Sequence, residues 1–297
     1  MGSAQKLLRW YDLHGRTLPW RKTRDPYRIL VSEIMLQQTQ VPRVILYYAS
    51  WLKKFPSWKR LAQASNTEVI HAWAGLGYNR RGLMLRDIAR EVVERGVPQS
   101  EEEWRELKGI GPYTAAALAA FTLDQRTVPI DTNIRRVLGR LLLGIPYPQP
   151  EHDARMREAA NDWLPKRRRY ADIPQALFDL ATSICTKAPS CAVCPLREDC
   201  LTAPKFLSGS VPIPKAMIKK AIEKRHRDKS YPDRIYRGRI LKLVREANPR
   251  PVSISAIGSA IDPAFDPVLD KDWVKAMVGR LMKDGFLKEK ADEINLA

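Results

Sequence analysis

Two carboxylates, one glycine-flanked turn and one group of thiols are the residues of this chain whose types and spacing could do chemistry. Glu33 sits inside the apolar run Ile29 to Leu36, ahead of Gln37 and Gln38. A charged side chain is rarely buried unless it is paired, so Glu33 either faces a polar cleft or has a raised pKa. A solvated place on an amphipathic helix is the plainer reading. Asp131-Thr132-Asn133 follows Leu107-Lys108-Gly109-Ile110-Gly111-Pro112-Tyr113-Thr114 after a helix-length interval. Glycines can adopt positive φ and let another backbone come close, which suits a hairpin between two helices. The first N–H groups of the second helix then point outward, where they can bind a phosphate oxygen. All four cysteines fall in one stretch, Cys185-x5-Cys191-x2-Cys194-x5-Cys200. Such clustering predicts a four-thiolate metal site, which zinc or an iron–sulfur cluster could fill. One short loop that could wrap a cube leans toward [4Fe–4S].

These groups must be positioned by a largely helical frame. From residue 5 to 201, apolar residues recur at three- and four-residue spacing with few β-branched alternations. Asp25-Pro26-Tyr27 reads as the start of the helix that carries Glu33. Gly75-Leu76-Gly77-Tyr78 separates two further helices, with Arg80 and Arg81 behind it. A surface aromatic beside arginines suits stacking on a base, although a Tyr packed beneath its own turn gives the same pattern. The length of 297 residues allows about two domains. A net charge of +18 favours a polyanionic partner. Nucleic acid fits better than membrane, since no long apolar span or lipidation signal occurs. No signal peptide is recognised ahead of the first helix, so a cytoplasmic location is expected, at the nucleoid if the source is prokaryotic.

Beyond residue 202 the character changes. Residues 203–230 are rich in Pro, Lys and Arg, with Pro204, Pro212 and Pro214 as helix breakers and a basic run over 215–229. This reads as a linker, solvated or lying on a phosphate backbone. Helices are expected over 234–247, 254–262 and 271–284, and a hairpin over 285–296. That order suggests a winged helix. Arg234, Arg237, Arg239 and Lys242 on its first helix could touch DNA, with 271–283 as a recognition helix; a module that only braces its neighbours is the equal alternative.

In one order the chain holds Leu18-Pro19-Trp20-Arg21, Asp25-Pro26-Tyr27, Val31 to Val41 around Glu33, Gly75 to Tyr78, Gly109-x-Gly111, Asp131-x-Asn133 and the four cysteines. Over roughly residues 5–202 it resembles the helix–hairpin–helix DNA glycosylases of the endonuclease III superfamily, and within them the MutY-type adenine glycosylases. The resemblance implies a mainly α, two-lobed fold with its site in a cleft, and a [4Fe–4S] cluster on Cys185, Cys191, Cys194 and Cys200. It implies Glu33 as the general acid for adenine and Asp131 as the stabiliser of the sugar cation, with Asn133 and Tyr113 organising cation and nucleophile. The two acids then need opposite protonation states, Glu33 pushed upward and Asp131 down. Tyr113 stands where bifunctional members carry the lysine that forms a Schiff base, so base excision without strand cleavage is expected. Arg21 matches a pocket residue near Glu33. Gln37, Gln38 and Tyr78 match positions that meet the base or the opposite strand, while Lys108, Gly109 and Gly111 form the phosphate-binding hairpin.

Three features depart from the family. The first cysteine interval is one residue shorter than usual, Asn79 replaces a second Tyr, and the C-terminal region is too short for the Nudix-like domain that reads 8-oxoguanine. The expected partner is double-stranded DNA with a mismatched or damaged base, bound by a monomer with no membrane role. Thymine or uracil excision and a non-catalytic DNA-binding regulator are the alternatives.

Overall fold

A computed structural model describes residues 2–166, 169–214, 223 and 225–297. They fall into two compact units, Met1–Leu52 with Ile88–Ala216, and Lys53–Asp87 with Met217–Ala297. In this grouping residues 53–87 of the N-terminal half are joined with the C-terminal segment.

The first unit has helices and no strand among its described residues. Asp25 caps Pro26–Leu36, its Oδ1 accepting from the Tyr27 N–H at 2.9 Å, with Pro26 in the first turn where its missing N–H costs nothing. This helix packs on Pro112–Leu123. Ala115, Ala116, Ala117, Ala119 and Ala120 are all buried there, and side chains this small let two backbones approach closely. A second core joins Ser3–His14, Thr132–Leu142, Asp153–Trp163 and Asp172–Ser183. Leu7, Ile134, Leu138, Met156, Ile173 and Leu177 fill it. Each contributes on the order of 2 kcal/mol by leaving water.

In the second unit, Asp233–Ala247, Ile254–Ile261 and Lys271–Lys283 pack around a three-stranded antiparallel sheet. Glu293–Leu296 is central, between Leu287–Lys290 and Val252–Ser253, with Leu287 opposite Leu296 and Val252 opposite Ile294. Trp273, Val274, Met277, Val278 and Leu281 form one buried helix face, packed on the Asp233–Ala247 helix with the Tyr236 ring edge-on to Trp273. The three helices and the terminal hairpin stand where the residue pattern puts them. The two-residue strand Val252–Ser253 was not expected, since a pair of residues carries no periodicity.

Two of the basic residues on Asp233–Ala247 have acceptors within the chain. Arg239 Nη1 donates to the Ile261 carbonyl at 2.7 Å and caps that helix. Arg234 pairs with Glu223 at 2.6 Å. Of the basic run, 215–222 and 224 lie outside the described residues. Lys229 is buried between Asp262 and Asp270, at 2.8 and 2.5 Å, and is an internal tie. Within the expected linker, Ala203–Leu207 is a helix, and Pro204 lies in its first turn, where a proline opens a helix instead of breaking it.

Candidate active site

A cavity of about 410 Å³ opens in the first unit, lined by Glu33, Tyr113, Asp131 and Asn133 together with Arg21, Gln37 and Gln38. Seven of the residues singled out from sequence therefore meet in one place. Their elements explain why. Glu33 lies on the helix capped by Asp25, and Tyr113 occupies the first turn of the alanine-rich helix packed on it. Asp131 is the N-cap of Thr132–Leu142.

The two acids sit in unlike surroundings. Glu33 is buried, and loss of hydration pushes its carboxyl up to about 7, opposed by a hydrogen bond that the Tyr113 hydroxyl donates. Asp131 accepts three hydrogen bonds: from the Asn133 and Ile134 N–H groups at 2.9 and 2.7 Å, and from Asn133 Nδ2 at 2.9 Å. The need for opposite protonation states led to the expectation that Asp131 is held below the ordinary carboxylate range, and these bonds act in that direction. Burial outweighs them, and its pKa is raised as well. Backbone and side-chain donors nevertheless favour the ionised form of Asp131, whereas Glu33 is set among apolar neighbours such as Ile29 and Leu36. Tyr113 is held as a neutral phenol, its pKa driven up by burial and by the adjacent carboxylates.

Further residues hold this set in place. Asn133 Oδ1 accepts from Arg136 Nη2 at 3.1 Å, and the same guanidinium donates to the carbonyls of Ala181 and Cys185 at 2.9 and 2.8 Å. Arg21 meets Asp179 through both Nη atoms, at 2.7 and 2.9 Å. Asp179 is buried, also takes the Arg16 N–H and Nε, and has its pKa lowered by these partners against the cost of burial. Arg16, Gln175, Arg136 and Asp179 were all missed from sequence. A carboxylate in Ala-Leu-Phe-Asp-Leu carried the same signal as Glu33.

The hairpin is formed as expected in part. Gly109 has φ 99, but Gly111 has φ −86 and serves as N-cap of Pro112–Leu123. A Cβ on Gly111 would meet nothing within 4 Å, so that backbone is open to approach from outside. The Lys108 N–H donates to Glu91 at 3.2 Å, and Lys108 is absent from the cavity wall. Tyr78 belongs to the other unit. It is 64% exposed with φ 47, so it does not pack beneath its turn.

Cys185, Cys191, Cys194 and Cys200 are free thiols, all partly buried. Cys185, Cys194 and Cys200 pack against the second core. Burial pushes the Cys194 thiol up to about 11. Arg140, itself buried, places Nη1 3.5 Å from Cys185 Sγ and donates to the carbonyls of Thr186 and Lys187. Four soft donors beside a fixed cation form a set suited to a metal group that needs thiolates. Among the described residues no three His, Cys, Asp or Glu side chains converge as a single-ion site. None of the described helices is long and apolar enough to cross a membrane.

Residues 31–166 match the family model of the HhH-GPD superfamily of base excision DNA repair proteins. The chain is 39% identical over 207 residues to an adenine DNA glycosylase of Homo sapiens, covering 65% of this chain and 38% of that one. It is 36% identical over 215 residues to the adenine DNA glycosylase of Mycolicibacterium smegmatis, covering 70% and 72%. The chain thus spans about two fifths of the length of the mammalian relatives. Among solved structures, a thermostable thymine-DNA glycosylase superposes with TM-score 0.63 at 28% identity, covering 68% of this chain and 95% of that one. A trapped endonuclease III–DNA covalent intermediate superposes with TM-score 0.57 at 16% identity, covering 69% and 95%, a likeness of fold alone.

Proposed function

Because the chain belongs to the HhH-GPD superfamily of base excision DNA repair proteins, we propose that it is a monofunctional DNA glycosylase that releases mispaired adenine. The observation that carries this reading is the pairing of a buried Glu33 near neutrality with a hydrogen-bonded Asp131 across one cavity. The substrate base leaves the duplex, at a cost of a few kcal/mol that is least at a mismatch. Adenine is a poor leaving group as its anion. Glu33 in its acid form donates a proton to a ring nitrogen, and the electron pair of the C1′–N9 bond departs with a neutral base. General acid help of this kind supplies about 10²–10⁴-fold. Positive charge then develops on the sugar, and Asp131, already fixed by three donors, stabilises it without reorganising. Water adds at C1′ and its proton leaves to a carboxylate of the site, giving an abasic sugar.

Tyr113 supports the absence of lyase chemistry. A phenol held neutral cannot form an imine, and Lys108, the nearby amine in sequence, is not on the cavity wall. The names of the relatives favour adenine, whereas the thymine-DNA glycosylase likeness keeps thymine or uracil opposite guanine as the second reading. Cys185, Cys191, Cys194 and Cys200 would hold a [4Fe–4S] cluster, with zinc as the alternative. That group would supply a structural tie, and no step is routed through it. The partner is duplex DNA with a mismatch, gripped through the Gly109–Gly111 hairpin, and the module beyond residue 231 is winged-helix-like. The test is chromatographic detection of free adenine released from an A:G duplex. Release by the native chain and none by Glu33→Gln, which still binds duplex, supports the proposal; equal release by both overturns it.

A further inference from the structure

The C-terminal module is almost neutral. Residues 231–297 carry twelve Lys and Arg against ten Asp and Glu, a balance of +2 in a chain of +18. A domain that grips duplex phosphates needs a cationic surplus. This module instead touches, at a few specific points, the two helices that flank Gly75-Leu76-Gly77-Tyr78. Asn66, the first residue of Asn66–Trp73, donates from Nδ2 to the Gly285 carbonyl at 2.8 Å. Its Oδ1 accepts from Nη1 of Arg86, on the following helix Arg80–Arg95. Beside it, the Thr67 hydroxyl donates to the Ala297 carbonyl at 3.1 Å. Gly285 closes the Lys271–Lys283 helix with φ 77, and Asn66 Nδ2 and Leu83 Cδ1 lie 3.8 and 3.9 Å from where its Cβ would stand. Arg80 reaches Asp284 at 3.7 Å, an exposed pair that adds little.

The turn between those helices is tightly organised. The Trp73 ring lies where a Cβ on Gly82 would come within 3.0 Å of it, so the two helices meet there. Trp73 Nε1 and Arg81 Nη2 both donate to the Gly77 carbonyl, at 3.1 and 3.0 Å. The Arg81 guanidinium stands 5.4 Å from the rings of both Trp73 and Tyr78. Tyr78 is thus an exposed ring on a left-handed backbone, a conformation that persists only where its surroundings over-determine it.

We propose that the C-terminal module is a brace for the Tyr78 turn, with Asn66 as the central positioning residue. By pinning the first residue of Asn66–Trp73 and, through Arg86, the interior of Arg80–Arg95, it presents the Tyr78 ring in one pose. The functional consequence rests on the reading of Tyr78 as a residue that meets the duplex; the brace itself does not.

The test compares amide hydrogen exchange over residues 74–80 in the full-length native chain, Asn66→Ala, Asn66→Asp and Thr67→Val. Residues 112–123 of the other unit serve as the control for global folding. Asn66→Ala is expected to speed exchange at 74–80 by about tenfold, the effect of a lost part-buried hydrogen bond. Asn66→Asp keeps the acceptor for Arg86 but has no donor for the Gly285 carbonyl, and is expected to be as loose as Asn66→Ala. Thr67→Val, milder if Asn66→Ala fails to fold, shifts exchange in the same direction. In adenine release, the expected signature is a KM for duplex raised about tenfold with kcat retained. Unchanged exchange at 74–80 in Asn66→Ala, or full protection in Asn66→Asp, overturns the brace. Faster exchange with unchanged KM leaves the brace standing and overturns the duplex-contacting reading of Tyr78.

Discussion

Replacing Glu33 by Gln should make the protein inactive and more stable, and the two effects have one cause. The carboxyl is held near 7 by burial against an ordinary value of 4.5. Between those values the unfolded chain gives up the proton while the folded chain keeps it, so native stability falls as pH rises through the window. The loss is complete above pH 7 and amounts to about 3 kcal/mol. Gln cannot ionise, retains an acceptor for the Tyr113 hydroxyl, and escapes this penalty. Urea unfolding at pH 8 should therefore show Glu33→Gln about 3 kcal/mol more stable than the native chain, with the difference gone by pH 4. In parallel, the native single-turnover rate should fall above an apparent pKa near 7 as the acid form is lost. It should also fall at low pH as Asp131 becomes protonated. Equal stabilities at pH 8, or a rate that is flat from pH 6 to 9, would refute a buried Glu33 acting as the acid.

Three further substitutions separate structure from chemistry. Asp131→Asn keeps a good N-cap, so stability should change by under about 1 kcal/mol while the rate of base release drops about 10²–10³-fold; an equal loss of both would make Asp131 merely structural. Asp179→Ala strips Arg21 of its buried partner and should cost about 3 kcal/mol in thermal or urea unfolding, whereas a neutral effect would mean the guanidinium finds water. Cys194→Ser should remove any absorption near ~400 nm expected of thiolate-ligated iron–sulfur clusters and lower the unfolding midpoint, and a colourless native protein with stoichiometric zinc would reverse the choice of metal.

What the sequence made legible follows from the range of the interactions. Asp25-Pro26-Tyr27 is a local cap and acts as one, whereas the capping role of Asp131 came into view only with the structure. The amphipathic faces of Asp233–Ala247 and Lys271–Lys283 repeat every three or four residues and placed those helices to within a residue or so. Asp179 could not be assigned a partner, because Arg21 lies far away along the chain and only the folded packing brings them together. Arg239 reads as a free cation until its carbonyl acceptor at Ile261 is in view. The direction of the Asp131 shift was misjudged for a related reason. The chemistry asks for two protonation states, while the burial that raises Asp131 is a property of the whole cavity. Residues 53–87 grouped with the C-terminal module through single bonds at Asn66 and Thr67, which leave no pattern in composition.

The most direct measurement is a single-turnover panel of duplexes containing A:8-oxoG, A:G, T:G and U:G, each analysed with and without alkali. Adenine excision that yields strand breaks only after alkali, from the adenine-containing duplexes alone, is the predicted result. Strand cleavage before alkali, or excision confined to the T:G and U:G duplexes, would contradict the account.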